Sequence, residues 1–381
     1  MKLLVFMVLI CVLFLLQRIV FERIWDKNLS LELSFQDHVV REGNQTYLIE
    51  RVRNQKHFPL PILHVKLMMP RSFLFASTKN ANVTDYYYRN DIFSVGSNEE
   101  LVRKLPFTCS KRGFYQINDM TYSSRDYFLT DSFVNAKKVT EFMYVTPKKY
   151  LPREIPIEVH GIIGDVISKK TLLDDPFAFK GIRQYQPYDN YHAINWKATA
   201  RQQELQVNTF FSTYSCEVFL VLNLTPVSLY NKNFLREESI AIASTLSSHF
   251  LHRNIPVGFT TNALDIETHR SISLMPGVGQ HHENNIDLKL ARIDLSQEQE
   301  PLEIFLPQVK VQKNTQVIFI SADCTHETVS IYEQMCSAAG QVIWIRPYDP
   351  YRIDNATDKI ADCDKSMMNW EVNTGDDELK C

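Results

Sequence analysis

Asp189, His192 and Arg201 fall within the stretch "GIRQYQPYDNYHAINWKATARQQELQV", Gly181 to Val207. A carboxylate, an imidazole and an anion-binding guanidinium are the groups a hydrolase would need. A nucleophile paired with a base is not evident beside them, so the hydrolase is the alternative reading and no catalytic residue is assigned. The competing reading is structural. Asp189 can cap a short helix from about Asn190 to Gln202, since its carboxylate can accept backbone N–H groups at a helix start. Trp196 and Ala200 then share one face, and Lys197 and Arg201 share another. On this reading Trp196 packs against a neighbouring domain, and the segment is a clasp or a partner-docking surface.

A second set of polar residues lies at predicted strand ends. The run "CEVFLVLNL" leads to Asn223, Thr225 and Ser228, and "TQVIFISAD" leads to Asp323. In an open parallel sheet ligands sit beyond the carboxyl ends of the strands. These oxygens could face a hard cation, or they could simply be the solvated polar ends of strands. His281-His282-Glu283 does not have the spacing of a zinc helix, because adjacent side chains leave a helix in different directions. It reads as a solvated helix start. "PGVGQ", Pro276 to Gln280, lacks the Lys-Ser/Thr of a phosphate loop.

Several elements must position these residues. The stretch "LLVFMVLICVLFLL", extended through Phe21 with Lys2 and Arg18 snorkelling, reaches the length of a membrane span. No small-residue cleavage site follows it, so residues 1–24 read as an uncleaved anchor. Arg18, Arg23 and Lys27 beyond the span place the bulk of the chain in the cytoplasm, under single-pass topology. The seven cysteines form no CxxC pair, which fits a reducing compartment. Residues 28–150 alternate apolar and polar positions between turns, as in "LSLELSF", "TYLIERVRN" and "ILHVKLMM", and predict an immunoglobulin-like β-sandwich. Within it "STKNANVTDYYYRND" reads as an exposed loop. Residues 151–205 read as a connector, and residues 206–350 as a doubly wound α/β domain of buried strands and helices. Residues 351–381, with eight acidic and four basic side chains, read as a flexible acidic tail. The 41 basic and 44 acidic residues leave a net charge of −3, with no basic stripe for nucleic acid.

The segment from Gly181 resembles the signature of the bacterial "domain of unknown function 58" family. The matching positions are Gly181, Arg183, Tyr185, Pro187, Asp189, Ile194, Trp196, Ala198, Thr199, Ala200, Arg201, Leu205 and Val207, with Tyr188 and His192 as departures. Upstream, "KRGFYQINDMTYSSRDYF" resembles the family's Arg-Gly-x-Tyr and Asp-Pro-Phe strand pair through Arg112, Gly113, Tyr115 and Asp126. The resemblance implies a membrane anchor, a β-sandwich and a von Willebrand factor A-like domain. It also implies a MoxR-type AAA+ ATPase as partner, with a role in assembling or maturing envelope complexes. Related A domains hold Mg2+ through an Asp-x-Ser-x-Ser loop, a Thr and a strand-end Asp. The corresponding residues here are Asn223, Thr225 and Val227, with Asp323 as the strand-end partner, which makes a degenerate site for a Mg2+ cofactor. The reading that follows is a membrane-anchored protein-interaction module without catalytic residues.

Overall fold

The computed structural model describes residues 2–76, 81–84, 86–171, 174–186, 189–212, 217–226, 233–305, 315–339, 342–349 and 367–372. The chain divides into two compact units, Met1–Lys148 and Lys149–Cys381.

The first unit opens with α1 (Lys2–Ile24). Its segment Leu3–Ile24 is long and apolar enough to cross a membrane, with a mean hydropathy of 2.8. Ten strands follow: β1 (Leu29–Phe35), β2 (Val39–Arg41), β3 (Gln45–Asn54), β4 (Leu60–Pro70), β5 (Phe73–Phe75), β6 (Ala81–Val83), β7 (Tyr86–Val95), β8 (Glu100–Cys109), β9 (Gly113–Arg125) and β10 (Ser132–Thr146). They form two sheets, β1-β3-β8-β5 and β2-β10-β9-β4-β7-β6. Alternation, clearest in β3 and β7, puts one side of the strands inward. Leu31, Leu33, Leu48 and Val52 from one sheet therefore share a core with Leu63, Val65, Ile117 and Met143 from the other. Two corrections arise here. The segment expected to be a loop contributes β6 and the start of β7, where Tyr86 and Tyr88 are exposed and Tyr87 between them is buried. The helix α1 is also not a separate appendage, because Phe21 and Trp25 at its carboxyl end belong to the β core.

The second unit begins well before the expected α/β boundary. The part of the chain read as a connector contains α2 (Ile157–Thr171). Val159, Ile162, Ile163 and Val166 recur at helical spacing and are all buried in the α/β core. Gly161 and Gly164 lower the helix propensity of this stretch, and that hid the helix. Next come β11 (Asp174–Gln184), α3 (Trp196–Gln202), β12 (Gln206–Ser212), β13 (Glu217–Asn223), α4 (Phe234–Leu251), β14 (Val257–Asp265), β15 (Ser271–Gly277), α5 (Gln280–Ala291), β16 (Ile293–Asp294), α6 (Leu302–Phe305), β17 (Thr315–Ser321), α7 (His326–Ala339), β18 (Val342–Tyr348) and β19 (Met367–Glu371).

The main sheet runs β15-β14-β13-β17-β18-β19, with β16 also pairing with β14. From β14 to β19 the neighbours are parallel, while β15 and β16 are antiparallel to β14. On β13, Val218, Leu220 and Leu222 join the core with α2, α4 and α5, whereas Phe219 and Val221 join a second core with α6 and α7. Helices thus cover both faces, as the near-continuous apolar strands require. The expected acidic tail is corrected at Met367–Glu371, which forms β19 parallel to β18. Trp370 is buried there and lies against Tyr150, with ring centroids 5.3 Å apart. The high charge of the surrounding tail masked this short apolar run.

Candidate functional site

The signature segment is the connection between β11 and β12, which pair antiparallel with Gly181 opposite Thr209 and Arg183 opposite Val207. A short 3-10 turn, Tyr191–Ala193, and then α3 rise from this hairpin. Asp189 is not the helix cap. Asn190 caps the 3-10 turn by accepting from the His192 N–H, and Asn195 caps α3 by accepting from the Ala198 N–H at 2.9 Å. The carboxylate of Asp189 is instead held by Arg183 through two bonds of 2.6 and 2.5 Å, and it also accepts the Gln186 N–H at 2.8 Å. The Arg183 bond and the Gln186 amide hold its carboxyl below the usual carboxylate range, against a smaller desolvation effect.

The remaining signature residues close the scaffold. Ile194 forms a bridge with Val207, and both are buried. The Thr199 hydroxyl accepts the Gln206 N–H at 3.0 Å, and the Asn195 amide donates to Asn208 at 2.7 Å. Gln203 ends α3 in the left-handed conformation, with φ of 57°. Tyr185 stacks on Tyr191 with ring centroids 5.9 Å apart. A hydrogen bond with Tyr191 raises the Tyr185 hydroxyl above its ordinary pKa. At Gly181 an added Cβ would meet Thr209 Oγ1 at 3.7 Å, an ordinary contact, so space alone does not demand glycine there.

This locked scaffold carries exposed side chains. Trp196 is 68% exposed and Tyr191 73%. His192, Lys197, Ala200 and Arg201 are also exposed. The expectation that Trp196 packs into a clasp is therefore corrected. The face it shares with Ala200 points to solvent, and the buried anchor of the segment is Ile194. Among the described residues no hydrogen bond joins Asp189, His192 and Arg201, and the Asp189 carboxylate is held by Arg183 and the Gln186 N–H. Pro187 and Tyr188 lie outside the described residues.

The strand-end residues do come together, with Asn262 on β14 as a member the sequence did not flag. Asn223 donates to Ser321 Oγ at 3.0 Å, and its Oδ1 accepts from Thr225 N–H, Thr225 O–H and the Asn262 amide at 3.1, 2.7 and 3.0 Å. Asn262 Oδ1 in turn accepts the Leu224 N–H at 2.9 Å. Asp323 accepts from the Thr325 N–H at 3.0 Å and from the hydroxyls of Thr325 and Thr328 at 3.1 and 2.6 Å, at the start of α7. The described oxygens that would ligate a cation are thus turned onto protein donors, Asp323 onto the turn that precedes α7. Among the described residues these oxygens are engaged by protein groups, whereas Mg2+ takes several free oxygen ligands in near-octahedral array. Among the described residues no group of three or more His, Cys, Asp and Glu side chains is placed to share an ion. Val227 and Ser228 lie outside the described residues.

Asn262 is fully buried and ties the Asn223 side chain to the Leu224 N–H. Asn262→Ala is expected to cost about 2 kcal/mol, because it leaves the Leu224 N–H without its acceptor in the interior. A thermal melt of the full chain in detergent checks this. A midpoint equal to that of the parent would mean that the network is not held through Asn262.

His281-His282-Glu283 is also corrected. It opens α5, but only His281 is exposed. His282 Nε2 lies 2.7 Å from the Val257 carbonyl. Glu283 is buried against Lys149 and Ser248 at 2.7 Å each. Lys149 also reaches Asp287 at 2.7 Å, and Ser244 donates to Asp287 at 2.7 Å. No sequence motif marks this cluster, because its members are 134 residues apart.

Several solved structures bear a weak likeness to part of this chain. The CARDB domain of the PF1109 protein from Pyrococcus furiosus is 18% identical, with a TM-score of 0.20, over 31% of this chain and 88% of that one. AvmM, which catalyses macrocyclization in alchivemycin A biosynthesis, is 8% identical with a TM-score of 0.24, over 33% of this chain and 94% of that one. The C-terminal domain of Wzt is 13% identical with a TM-score of 0.23, over 33% and 77%. At these scores none carries an argument about this chain. No curated protein matches it. Residues 181–350, running from the signature hairpin through β18, match the family model described as "Protein of unknown function DUF58", so this part of the chain carries a DUF58 domain.

Proposed function

We propose that this protein is a membrane-anchored interaction module whose docking surface is the exposed rim of the β11–β12 excursion. The observation that carries the reading is Trp196, 68% exposed on a scaffold fixed by the Arg183–Asp189 pair and two Asn caps. An exposed tryptophan on a preorganised support loses little freedom on binding, and Trp, Tyr and Arg dominate the energetics of interfaces. Tyr191 and Arg201 stand on the same excursion.

The family resemblance supports a MoxR-type AAA+ ATPase as the partner and envelope complexes as the clients. The strand order, with an antiparallel edge strand next to five parallel ones, supports a von Willebrand factor A-like reading of the second unit, without a Mg2+ cofactor. The two-sheet architecture supports an immunoglobulin-like reading of the first. We place α1 across the cell membrane and the bulk of the chain in the cytoplasm, on the strength of Arg18, Arg23 and Lys27 beyond the span. Among the described residues no geometry favours the hydrolase alternative.

Trp196→Ala is expected to change stability by no more than about 0.5 kcal/mol, as for other exposed substitutions, while abolishing capture of the ATPase. The measurement is affinity capture of the intact chain from native membranes with nucleotide trapped, alongside a melting curve. Undiminished capture by the variant would remove Trp196 from the interface. The absence of any AAA+ ATPase with the parent chain would remove the proposed partner.

A further inference from the structure

The carboxyl half of α1 presents one stripe to the β unit, in which Phe14, Phe21 and Trp25 recur at helical spacing. Phe21 lies against Tyr127 and Phe133 with ring centroids 5.4 and 5.7 Å apart, and Trp25 lies 5.6 Å from Tyr122. Asp26 just beyond accepts from the Tyr122 hydroxyl at 2.5 Å and the Asn135 amide at 2.6 Å. Phe14, deep within the apolar stretch, meets Phe128 of the β9–β10 loop with ring centroids 5.5 Å apart. Arg18 pairs with Asp131 of the same loop at 2.8 Å. The loop therefore runs beside the helix on its apolar side of Arg18, about 6 Å further along the axis at four residues of 1.5 Å rise.

The loop is built for such a place. Asp126 is fully buried. Its carboxylate accepts the N–H groups of Thr130 and Asp131 at 2.7 and 3.0 Å and the Thr130 hydroxyl at 2.8 Å. The Leu129 N–H donates to the Asp126 carbonyl at 2.9 Å. Three of the loop's N–H groups and the Thr130 hydroxyl are thus satisfied internally, which lowers the cost of placing them in hydrocarbon. What the loop turns outward is Tyr127, Phe128 and Leu129, exposed by 44%, 54% and 49%, with Leu129 held at φ of 59°. Phe58, also exposed, adjoins Pro59, whose carbonyl accepts the Tyr127 hydroxyl. If Arg18 marks the membrane surface, the helix offers only the apolar stretch before it, about 15 residues. That is short of the ~20 residues a spanning helix uses. A short span is relieved by local thinning of the bilayer, which would bring acyl chains against the exposed side chains of the loop beside it.

We propose that the loop Asp126–Asp131 is a membrane wedge, with Tyr127, Phe128 and Leu129 seated among lipid acyl chains beside α1. The wedge makes the β unit an integral part of the anchor, held rigidly at the bilayer surface. This rests on the reading of α1 as a membrane span.

The test uses the full chain in vesicles of phosphatidylcholine and phosphatidylglycerol, with or without bromine on the acyl chains. Phe128→Trp adds a reporter at an exposed aromatic position, and its emission is taken as the difference from the parent protein. Leu74→Trp, exposed on β5 at the far end of the sheet, is the aqueous control. Bromination is expected to reduce the Phe128→Trp increment by roughly half, since the indole would lie within the ~30 Å hydrocarbon layer, and to leave the Leu74→Trp increment unchanged. Quenching of the Phe128→Trp increment by aqueous iodide, or by neither agent, would overturn the wedge, the latter pointing to a protein partner over the loop. Tyr127→Trp repeats the test should the first variant misfold. Resistance of the parent to alkaline extraction is read separately. A chain released by alkali contradicts the span itself, whereas a retained chain with an unquenched loop contradicts only the wedge.

Discussion

Lys149→Met is expected to lower the stability of the full chain by about 3–5 kcal/mol at neutral pH, because it strips the cation from two buried carboxylates. The ammonium lies 2.7 Å from both Glu283 and Asp287, and the three side chains are 11%, 6% and 8% exposed. The hydroxyls of Ser248 and Ser244 supply one neutral bond to each acid, and the exposed His252 Nε2 lies 3.3 Å from Glu283, which leaves Asp287 with no other cation among the contacts described. Burial alone would raise the Glu283 pKa. The hydrogen bonds from Lys149 and Ser248 and the Lys149 charge outweigh it, so the carboxyl titrates below its ordinary range. A carboxylate with a depressed folded pKa contributes stability that is present above its unfolded pKa and is lost as pH falls through the folded value. In Lys149→Met that contribution disappears and burial dominates. The deficit should therefore be largest above about pH 5 and should shrink in more acidic buffer, where the stranded acids take up protons. Melting curves of parent and variant from pH 4.5 to 8 measure this. A constant offset across the range would show that the loss is one of packing and that the charges do not matter. Adding Glu283→Leu and Asp287→Leu to Lys149→Met should restore part of the loss, since replacing a buried ion cluster by apolar groups is often close to neutral.

The position of that triad explains where sequence reading stops. Apolar runs such as "CEVFLVLNL" and "TQVIFISAD" announce buried strands, because burial on both faces leaves few polar positions. The parallel sheet was legible for that reason, and α1 was legible from length and hydropathy. The edges were not. The strand β15 carries Pro276 and Gly277, and β19 is five residues inside a charged tail, so local pattern could not recommend either. The helix α2 had the right spacing of Val and Ile but the wrong propensity. In the signature segment the residue types were visible and their roles were not. Asp189 was as plausible a helix cap as Asn195 on local grounds, and only the pairing of β11 with β12 brings Arg183 onto it. Trp196 was expected inside because large aromatic rings usually are, yet its exposure is what separates a docking surface from a clasp. Asn262 and Lys149 had no motif at all. Their importance comes from partners 38 and 134 residues away.

Glu50 should make the β unit less stable as pH rises, which is the opposite sign to Glu283. It lies on β3, is 2% exposed, and has no hydrogen-bond donor on either carboxylate oxygen among the described residues. Asp91 of the facing sheet is nearby and already holds both guanidiniums of the region. Arg103 donates to it at 2.8 Å, and Arg89 donates through Nη2 at 3.0 Å and through Nε. Burial and the Asp91 charge push the Glu50 carboxyl up to about 8 from an ordinary 4.5, with Arg103 and Arg89 opposing. The folded protein therefore holds a proton that the unfolded chain releases near pH 4.5. Folding is unpenalised below that value, and stability falls as pH climbs until the folded pKa is passed. At about 1.4 kcal/mol per pKa unit, reduced by the coupling to Asp91, the loss by pH 9 is on the order of 3 kcal/mol. Glu50→Gln keeps the shape and cannot ionise. It should match the parent near pH 5 and exceed it by about that amount at pH 9, or roughly 6–12 °C in melting midpoint for a unit of this size. Parallel pH profiles for the two proteins from 5 to 9 would mean that Glu50 is ionised in the fold and compensated by Arg89 and Arg103. In that case Arg103→Leu would be strongly destabilising at pH 7, whereas a neutral Glu50 leaves Arg103 with Asp91 as its charged partner and a smaller loss.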